Sequence, residues 1–330
     1  MRKRLIPLLL CLFFAGAASY GGGTSEPAGG PKKLRAGIVQ AVDNNFYNNS
    51  LTFAEYIKEG SQGAIIIEVY PAGQLGEERD ITASLTEGSI DFCINANGEL
   101  AKRIPEYGIC DAPYIFANVE HMQKVVMGDL FKPVHERLRK EFGIRILGSL
   151  YVGIRHVVTN NKQVRTPADL KGMKIRVPDQ QPSIDAFKML GANPTPIPFG
   201  ELYLALQQGI VDAAENSYSN IIGPKVYEVT QYLCLTGHIM QNNYLTISEK
   251  TFQTLTAEQQ KLMVEQGERI CREGTEQMID LERGELYQRL LGYGMIPVEA
   301  DVEAFSKLAK TNLNGSGFDA ALYTKIQAYK

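Results

Sequence analysis

The chain has 330 residues, with 44% hydrophobic and 22% charged side chains and a formal net charge of −3. At roughly 150 residues per domain that length allows about two packed cores, and the ordinary composition excludes a long disordered, collagen-like or coiled-coil protein. The slightly acidic balance disfavours nucleic acid and anionic lipid as partners, and four His with five scattered Cys leave little material for a metal site.

Met1-Arg2-Lys3-Arg4 precedes an almost wholly apolar run from Leu5 to Ala18. Ala15-Gly16-Ala17 and Ala17-Ala18-Ser19 both carry the small-x-small pattern of a signal peptidase site. The run is about 14 residues, short of the roughly 20 that span a bilayer. Residues 1–19 therefore read as a cleaved secretory signal, and residues 20–32, rich in Gly and Pro, as a flexible linker. Cleavage removes three basic residues and no acidic one, so −3 becomes −6. The mature chain is expected to be exported, with no membrane insertion after cleavage. Its four cysteines, Cys93, Cys110, Cys234 and Cys271, fit no zinc or redox spacing and read as small buried hydrophobes. One disulfide stays open in an oxidising compartment.

Leu34 to Val39 reads as a strand, and Asn45 to Gly60 as a helix with Phe46, Leu51, Phe53, Ala54 and Ile57 at helical spacing. Ala64 to Tyr70 is a β-branched run, a buried strand. After the turn Pro71 to Gly76, Glu77 to Glu87 reads as a helix with acids in its first turn, and Ser89 to Asn95 as a strand. This β-α-β-α-β order predicts a parallel sheet. The second half repeats it. Ile144 to Val158 is extended, and Thr166-Pro167-Ala168-Asp169 starts a helix. Met173 to Val177 is a strand, Ser183 to Leu190 a helix, Pro194 to Pro198 extended, Glu201 to Gln208 a helix and Ile210 to Ala213 a strand. Two open α/β units of similar size are expected in succession.

Thr256-Ala257-Glu258-Gln259 is a capping box. From there to Leu291 no Pro interrupts about 35 residues, some 50 Å of helix at 1.5 Å per residue. That exceeds one domain, so the helix is expected to cross both halves as a spine, bent or straight. Met295 to Glu299 and a helical stretch after Asp301 complete the chain.

Catalytic signatures are missing: no Gly-x-Ser-x-Gly elbow, phosphate loop, dinucleotide turn or His-Glu-x-x-His. Asp212 and Glu215 are the nearest thing to an acid pair. The chain does not read as an enzyme, and no cofactor or metal is expected. Arg155, after an apolar strand, and Arg176, alternating with Ile175 and Val177, are more informative. Ligands of open α/β sheets sit at strand ends, and a guanidinium fork there matches a carboxylate. Phe199, where a strand turns into a helix, can stack on a small ligand. Asn216 offers an amide after the last strand.

Four motifs carry a family resemblance: Tyr70-Pro71-Ala72-Gly73-Gln74-Leu75-Gly76-Glu77-Glu78-Arg79, Gly153-Ile154-Arg155-His156, Thr166-Pro167-Ala168-Asp169-Leu170-Lys171-Gly172-Met173-Lys174-Ile175-Arg176-Val177-Pro178, and Gly191 through Glu201-Leu202-Tyr203 to Asp212 and Glu215-Asn216. In this order the chain resembles the substrate-binding subunits of tripartite ATP-independent periplasmic (TRAP) transporters, of the dicarboxylate-binding (DctP) type, over roughly 33–330. The resemblance implies an α/β periplasmic binding protein whose two lobes close about a central hinge on an organic acid. The expected first lobe is 33–152 plus 243–281, and the second 153–242 plus 282–330. It implies Arg176 as bidentate partner of the ligand carboxylate, Arg155 as second cleft arginine, Asn216 as polar clamp, Phe199 as ring beside the ligand and Gln241 as a further contact. Glu77 in the first motif joins them. It also implies TRAP membrane subunits as partners and a periplasmic location. An exported sensor for a membrane kinase would present the same cleft.

Sialic-acid binders of this family carry Glu where this chain has Ala96, which argues against that ligand. The amide-rich stretches holding Asn44, Asn95, Asn97 and Gln241 suit a polyhydroxylated acid, as does Ala214 before Glu215-Asn216. The expectation is a uronate or similar sugar acid, ahead of a C4-dicarboxylate or another monocarboxylate.

Overall fold

The computed structural model describes residues 30–42 and 44–329. The signal, most of the linker, and Asp43 of the first amide-rich loop lie outside the described residues. The first strand starts at Lys32, one residue inside the expected linker.

Nine strands form one sheet among the described residues: β1 (Lys32–Gly37), β2 (Ile65–Tyr70), β3 (Phe92–Ala96), β4 (Ile144–Thr159), β5 (Lys174–Val177), β6 (Asn193–Pro196), β7 (Ala213–Asn216), β8 (Tyr232–Ser248) and β9 (Ile296–Glu299). Their order is β2-β1-β3-β8-β4-β7-β5-β6, with β9 on β8. β1 runs parallel to β2 and β3, and β5 parallel to β6 and β7. These are the expected crossover units. They are joined by a pair the sequence did not announce: β8 is antiparallel to β3 and to β4, and β4 is antiparallel to β7. The expected two successive parallel sheets are therefore one mixed sheet. β4 and β8, 16 and 17 residues long, run through both halves of it.

The first unit folds as its pattern dictates. Asn44 caps the helix Asn45–Gly60 by accepting from Phe46 N, and Phe46, Phe53 and Ile57 face inward. Phe53 meets Phe92 of β3 edge-on at 5.4 Å. Each such buried side chain contributes about 1.5–3 kcal/mol. The helix Glu78–Glu87 follows one residue later than expected, with Glu77 as its cap in a capping box with Asp80. In the second unit the short 3-10 turn Pro167–Leu170 replaces the expected helix, closed by a Thr166–Asp169 capping box. β7 is displaced three residues from its expected position. Gly209 (φ 68°) ends the helix Leu202–Gln207, and Asp212 then ties the turn to Lys174 N at 2.9 Å. Glu215 and Asn216 consequently lie inside the sheet, not after it.

The long helix is real but interrupted. It runs Ala257–Arg283, breaks at Gly284 (φ −127°, ψ −85°) and resumes as Glu285–Gly292. Its first part packs on β4 and on the helix Asn45–Gly60, and the shorter part meets the helix Tyr218–Ile222 of the second half. Gly267 and Gly274 allow the close approach, since a Cβ would fall 2.8 Å from Leu147 Cβ and from Leu150 Cδ2 respectively. The spine thus bends at the crossing.

The helix Ala320–Gln327, expected to group with 282–330, packs against residues 113–122. Tyr323 Oη donates to Pro113 O at 3.2 Å, and His121 Nε2 lies 3.0 Å from Ile326 O. Its apolar side, Tyr323 and Ile326, joins the cluster of Ile115, Phe116 and Met122. The four described cysteines are free and buried. No helix among the described residues is long and apolar enough to cross a membrane, and no cluster there could hold a metal.

Candidate functional site

A single cleft gathers strand ends from both halves of the sheet. Its wall includes Arg155, Arg176, Phe199, Asn216, Gln241 and Glu77, six of the nine expected site residues.

Arg176, on β5, is 1% exposed. Its Nε donates to Ile197 O at 2.9 Å, and its Nη1 has no hydrogen-bond partner among the described residues. Burial lowers its pKa to about 10, and the Arg155 charge pulls the same way against Glu215 and Glu77. A buried guanidinium with an unspent donor costs free energy unless an anion meets it.

Arg155 is built differently. β4 carries bulges between Tyr151 and Gly153 and between Arg155 and Val157. Gly153 has φ 118°, and a Cβ there would lie 3.1 Å from both Glu282 Oε1 and Ser217 Cβ. Glu282 accepts from Ile154 N at 2.5 Å and also binds the Tyr151 hydroxyl. Such bulges re-aim the side chains that follow. Arg155 then donates through Nε and Nη2 to the Glu215 carboxylate, both at 2.5 Å, through Nη2 to Glu215 O at 3.0 Å, and through Nη1 to Gln241 Oε1 at 2.6 Å. Of its five N–H donors, one on Nη1 is left for a ligand.

Glu215 also lies 3.1 Å from His238 Nε2, and His238 Nδ1 lies 2.9 Å from Thr236 Oγ1. Burial lowers the His238 pKa, so the ring is neutral and its Nε2–H donates to Glu215. Burial would raise the Glu215 carboxyl, but the Arg155 charge and these hydrogen bonds outweigh it and hold it at about 2. Glu215 is thus spent on Arg155 and His238, and Asp212 accepts from Lys174 N, so the two do not form a pair.

Strand alternation divides the expected amides. Gln241 and Asn243 face the cleft while Asn242 between them points away and donates to Ser149 Oγ at 3.2 Å. On β3 it is Ala96 that faces the cleft. Asn95 lies behind it, fully buried, donating to Thr82 Oγ1 at 2.6 Å and accepting from Thr246 Oγ1 at 2.7 Å. Asn97 is also off the cleft wall, donating to Asp111 Oδ1 at 3.0 Å and to Asn242. Asn95 and Asn97 are thus absent from the cleft wall and their amide nitrogens tie the interior, while Asn97 Oδ1 is left without a partner among the described residues. Asn44 stands one layer back. It donates to Oδ1 of Asn220, a cleft residue, at 3.1 Å.

Sequence reasoning missed Glu78, Glu99, Gln180 and Asn220, which also line the cleft. Glu78 accepts from Ala96 N at 2.7 Å and from Gln180 Nε2 at 3.3 Å. Burial, reinforced by Glu99, pushes its carboxyl up to about 7. The helix start offered a signal: in a capping box the cap residue is spent locally, which leaves the next acid free to point inward.

Residues 36–315 match the family described as bacterial extracellular solute-binding protein, family 7 (DctP). The chain belongs to that family. As a family 7 protein it is 31% identical over 272 residues to the sialic acid-binding periplasmic protein SiaP of Vibrio cholerae, covering 82% of this chain and 84% of SiaP. Its fold matches two crystal structures of TRAP periplasmic solute-binding proteins. One, from Ochrobacterium anthropi with bound L-fuconate, has a TM-score of 0.85 and 30% identity, covering 91% of this chain and 99% of that one. The other, from a Sulfitobacter species with bound β-D-galacturonate, has a TM-score of 0.83 and 27% identity, covering 90% and 98%. The expected family and fold class are confirmed.

Proposed function

We propose that this family 7 protein is an exported, non-catalytic receptor that closes on a sugar acid and delivers it to TRAP membrane subunits. The observation that carries the reading is Arg176: a nearly inaccessible guanidinium with an unspent donor, opening on a cleft otherwise rich in amides. Arg176 takes the ligand carboxylate. Arg155, fixed by Glu215 and Gln241, lends its remaining Nη1 proton. Asn216, Asn220 and Asn243 serve hydroxyls, and Phe199 covers an apolar ring face. The L-fuconate and galacturonate of the two structural relatives support a sugar acid. Ala96, a methyl on the cleft wall, supports a ligand other than sialic acid.

The lobes we propose are 33–152 with 243–281, and 153–242 with 282–312, with the last helix strapped to the first lobe. The hinge runs through the β4 bulge at Gly153, β8 at Gln241 and the helix break at Gly284. A thermal-shift screen on ligand-free protein tests the receptor reading. A matching acid at about 1,000 times its Kd adds about 4 kcal/mol of stability. No shift with sugar acids, C4-dicarboxylates or other monocarboxylates sinks it.

Closure brings backbone against side chain at Gly98. A Cβ there would overlap Gln180 Oε1 and lie 2.8 Å from Gln180 Cβ. Gln180 belongs to the opposite lobe, and its bond to Glu78 spans the cleft mouth. Gly98 is helical, so a side chain strains nothing in an open form. Gly98→Val is expected to weaken ligand binding more than tenfold, about 1.4 kcal/mol, by opposing closure. The ligand-free Tm should move by no more than about 2 °C. Calorimetric titration showing unchanged affinity would remove this contact from the closing step.

A further inference from the structure

The two walls of the cleft differ in charge. Arg155 and Arg176 stand on the second-lobe side with Asp179, while Glu77, Glu78 and Glu99 line the first-lobe side with Arg79 and Lys102. Glu99 is compensated by Lys102 and Arg103, at 2.8 Å and 3.4 Å. Glu77 and Glu78 form no ion pair among the described residues, so they carry the uncompensated charge of this wall. Arg79 is well exposed and pairs with Asp80 at 3.3 Å. Glu78 accepts from the Ala96 amide through Oε1 and from Gln180 through Oε2, which leaves one lone pair on each oxygen for a ligand hydroxyl. A ligand whose carboxylate meets the unspent Nη1 of Arg176 turns its other end toward this acidic wall.

We propose that this wall makes the receptor selective for monoanions: it accepts a neutral, hydroxyl-bearing far end and rejects a second carboxylate, with Glu78 as the determining residue. The inference rests on the sugar-acid reading above and narrows it to aldonates and uronates, excluding aldarates and plain dicarboxylates. Hydroxyls donate to carboxylate oxygens, whereas a second carboxylate offers only acceptors and a like charge. Rejection by an unpaired like charge is a common source of specificity.

The test compares acids that differ only at the far end: galactonate with galactarate, and gluconate with glucarate. Titrations are run at pH 8, where Glu78, raised to about 7, is ionised. The wild-type protein is expected to bind the tighter monoacid at least tenfold better than its diacid. Glu78→Gln should narrow that ratio at least fivefold, mainly by improving diacid binding. Glu99→Gln, which frees Lys102, is a second variant should the first fail to fold, and it should narrow the ratio in the same direction. A wild-type ratio near one, or a ratio unchanged in the folded variant, overturns the selectivity. If these acids and the wider screen all fail to bind, the receptor reading itself falls.

Discussion

Arg176→Ala is expected to abolish most ligand affinity while leaving the ligand-free protein as stable as before or more so. The two effects have one cause. Arg176 is 1% exposed, keeps only the Nε bond to Ile197 O, and has its charge disfavoured by burial. Without an anion it is a liability, so its removal relieves the empty form. With an anion it supplies charge-assisted, paired hydrogen bonds in a site closed to water. Truncating one partner of a buried charge pair costs about 2–5 kcal/mol, which corresponds to a loss of roughly 30- to 5,000-fold. Arg176→Lys should recover little, because a point charge cannot reproduce the fork. Calorimetric titration and melting of the ligand-free variant check both halves. Affinity within a few-fold of wild type would take Arg176 out of its role.

Local pattern made the crossover units legible. Phe46, Phe53 and Ile57 repeat at helical spacing, β2 is a β-branched run and β5 alternates charged with apolar residues beside turns, so these elements fall close to their expected bounds. The arginines were legible for the same reason, as charges at predicted strand ends. β8 was not, because its residues are buried on both faces and mix Thr, Asn and Gln with Leu and Ile. Those polar groups are satisfied by neighbours that sequence order does not reveal, such as Asn95 for Thr246. The amides failed where the strand phase was unknown: a shift of one residue exchanges Asn95 for Ala96 on the cleft wall. The last helix was expected with 282–330 by sequence order alone, whereas its contacts with Pro113 and His121 are long-range and left no local signal.

Glu215→Gln should destabilise the fold by about 3–5 kcal/mol, because it leaves Arg155 buried without its countercharge. For a chain of this size that corresponds to a Tm lower by roughly 10 °C. The glutamate is 1% exposed and holds Arg155 through two 2.5 Å bonds, with His238 against the same carboxylate. Replacing both partners at once, as Arg155→Met with Glu215→Leu, should recover much of the loss, since apolar pairs tolerate the same burial. The effect has a pH signature. The Glu215 pKa is about 2 when folded against 4.5 as the ordinary value, so its contribution is present above 4.5 and is lost as pH falls toward 2. His135 and His156, which do not hydrogen-bond Glu215, act on both proteins alike, whereas His238 loses in the variant the carboxylate that favours its protonated form. Burial sets His135 at about 4 and His156 at about 3, so the unfolded chain gains protons first, and stability drops as pH falls below 6.5. The gap between wild type and Glu215→Gln should therefore stay constant from pH 8 to 6.5, widen slightly below 6.5 as His238 is asked to protonate without its partner, and narrow from 4.5 to 3 as Glu215 itself is protonated. Denaturant melts across that range measure it. A gap that stays constant to pH 3 would mean that the pairing with Arg155 does not set the carboxylate's charge.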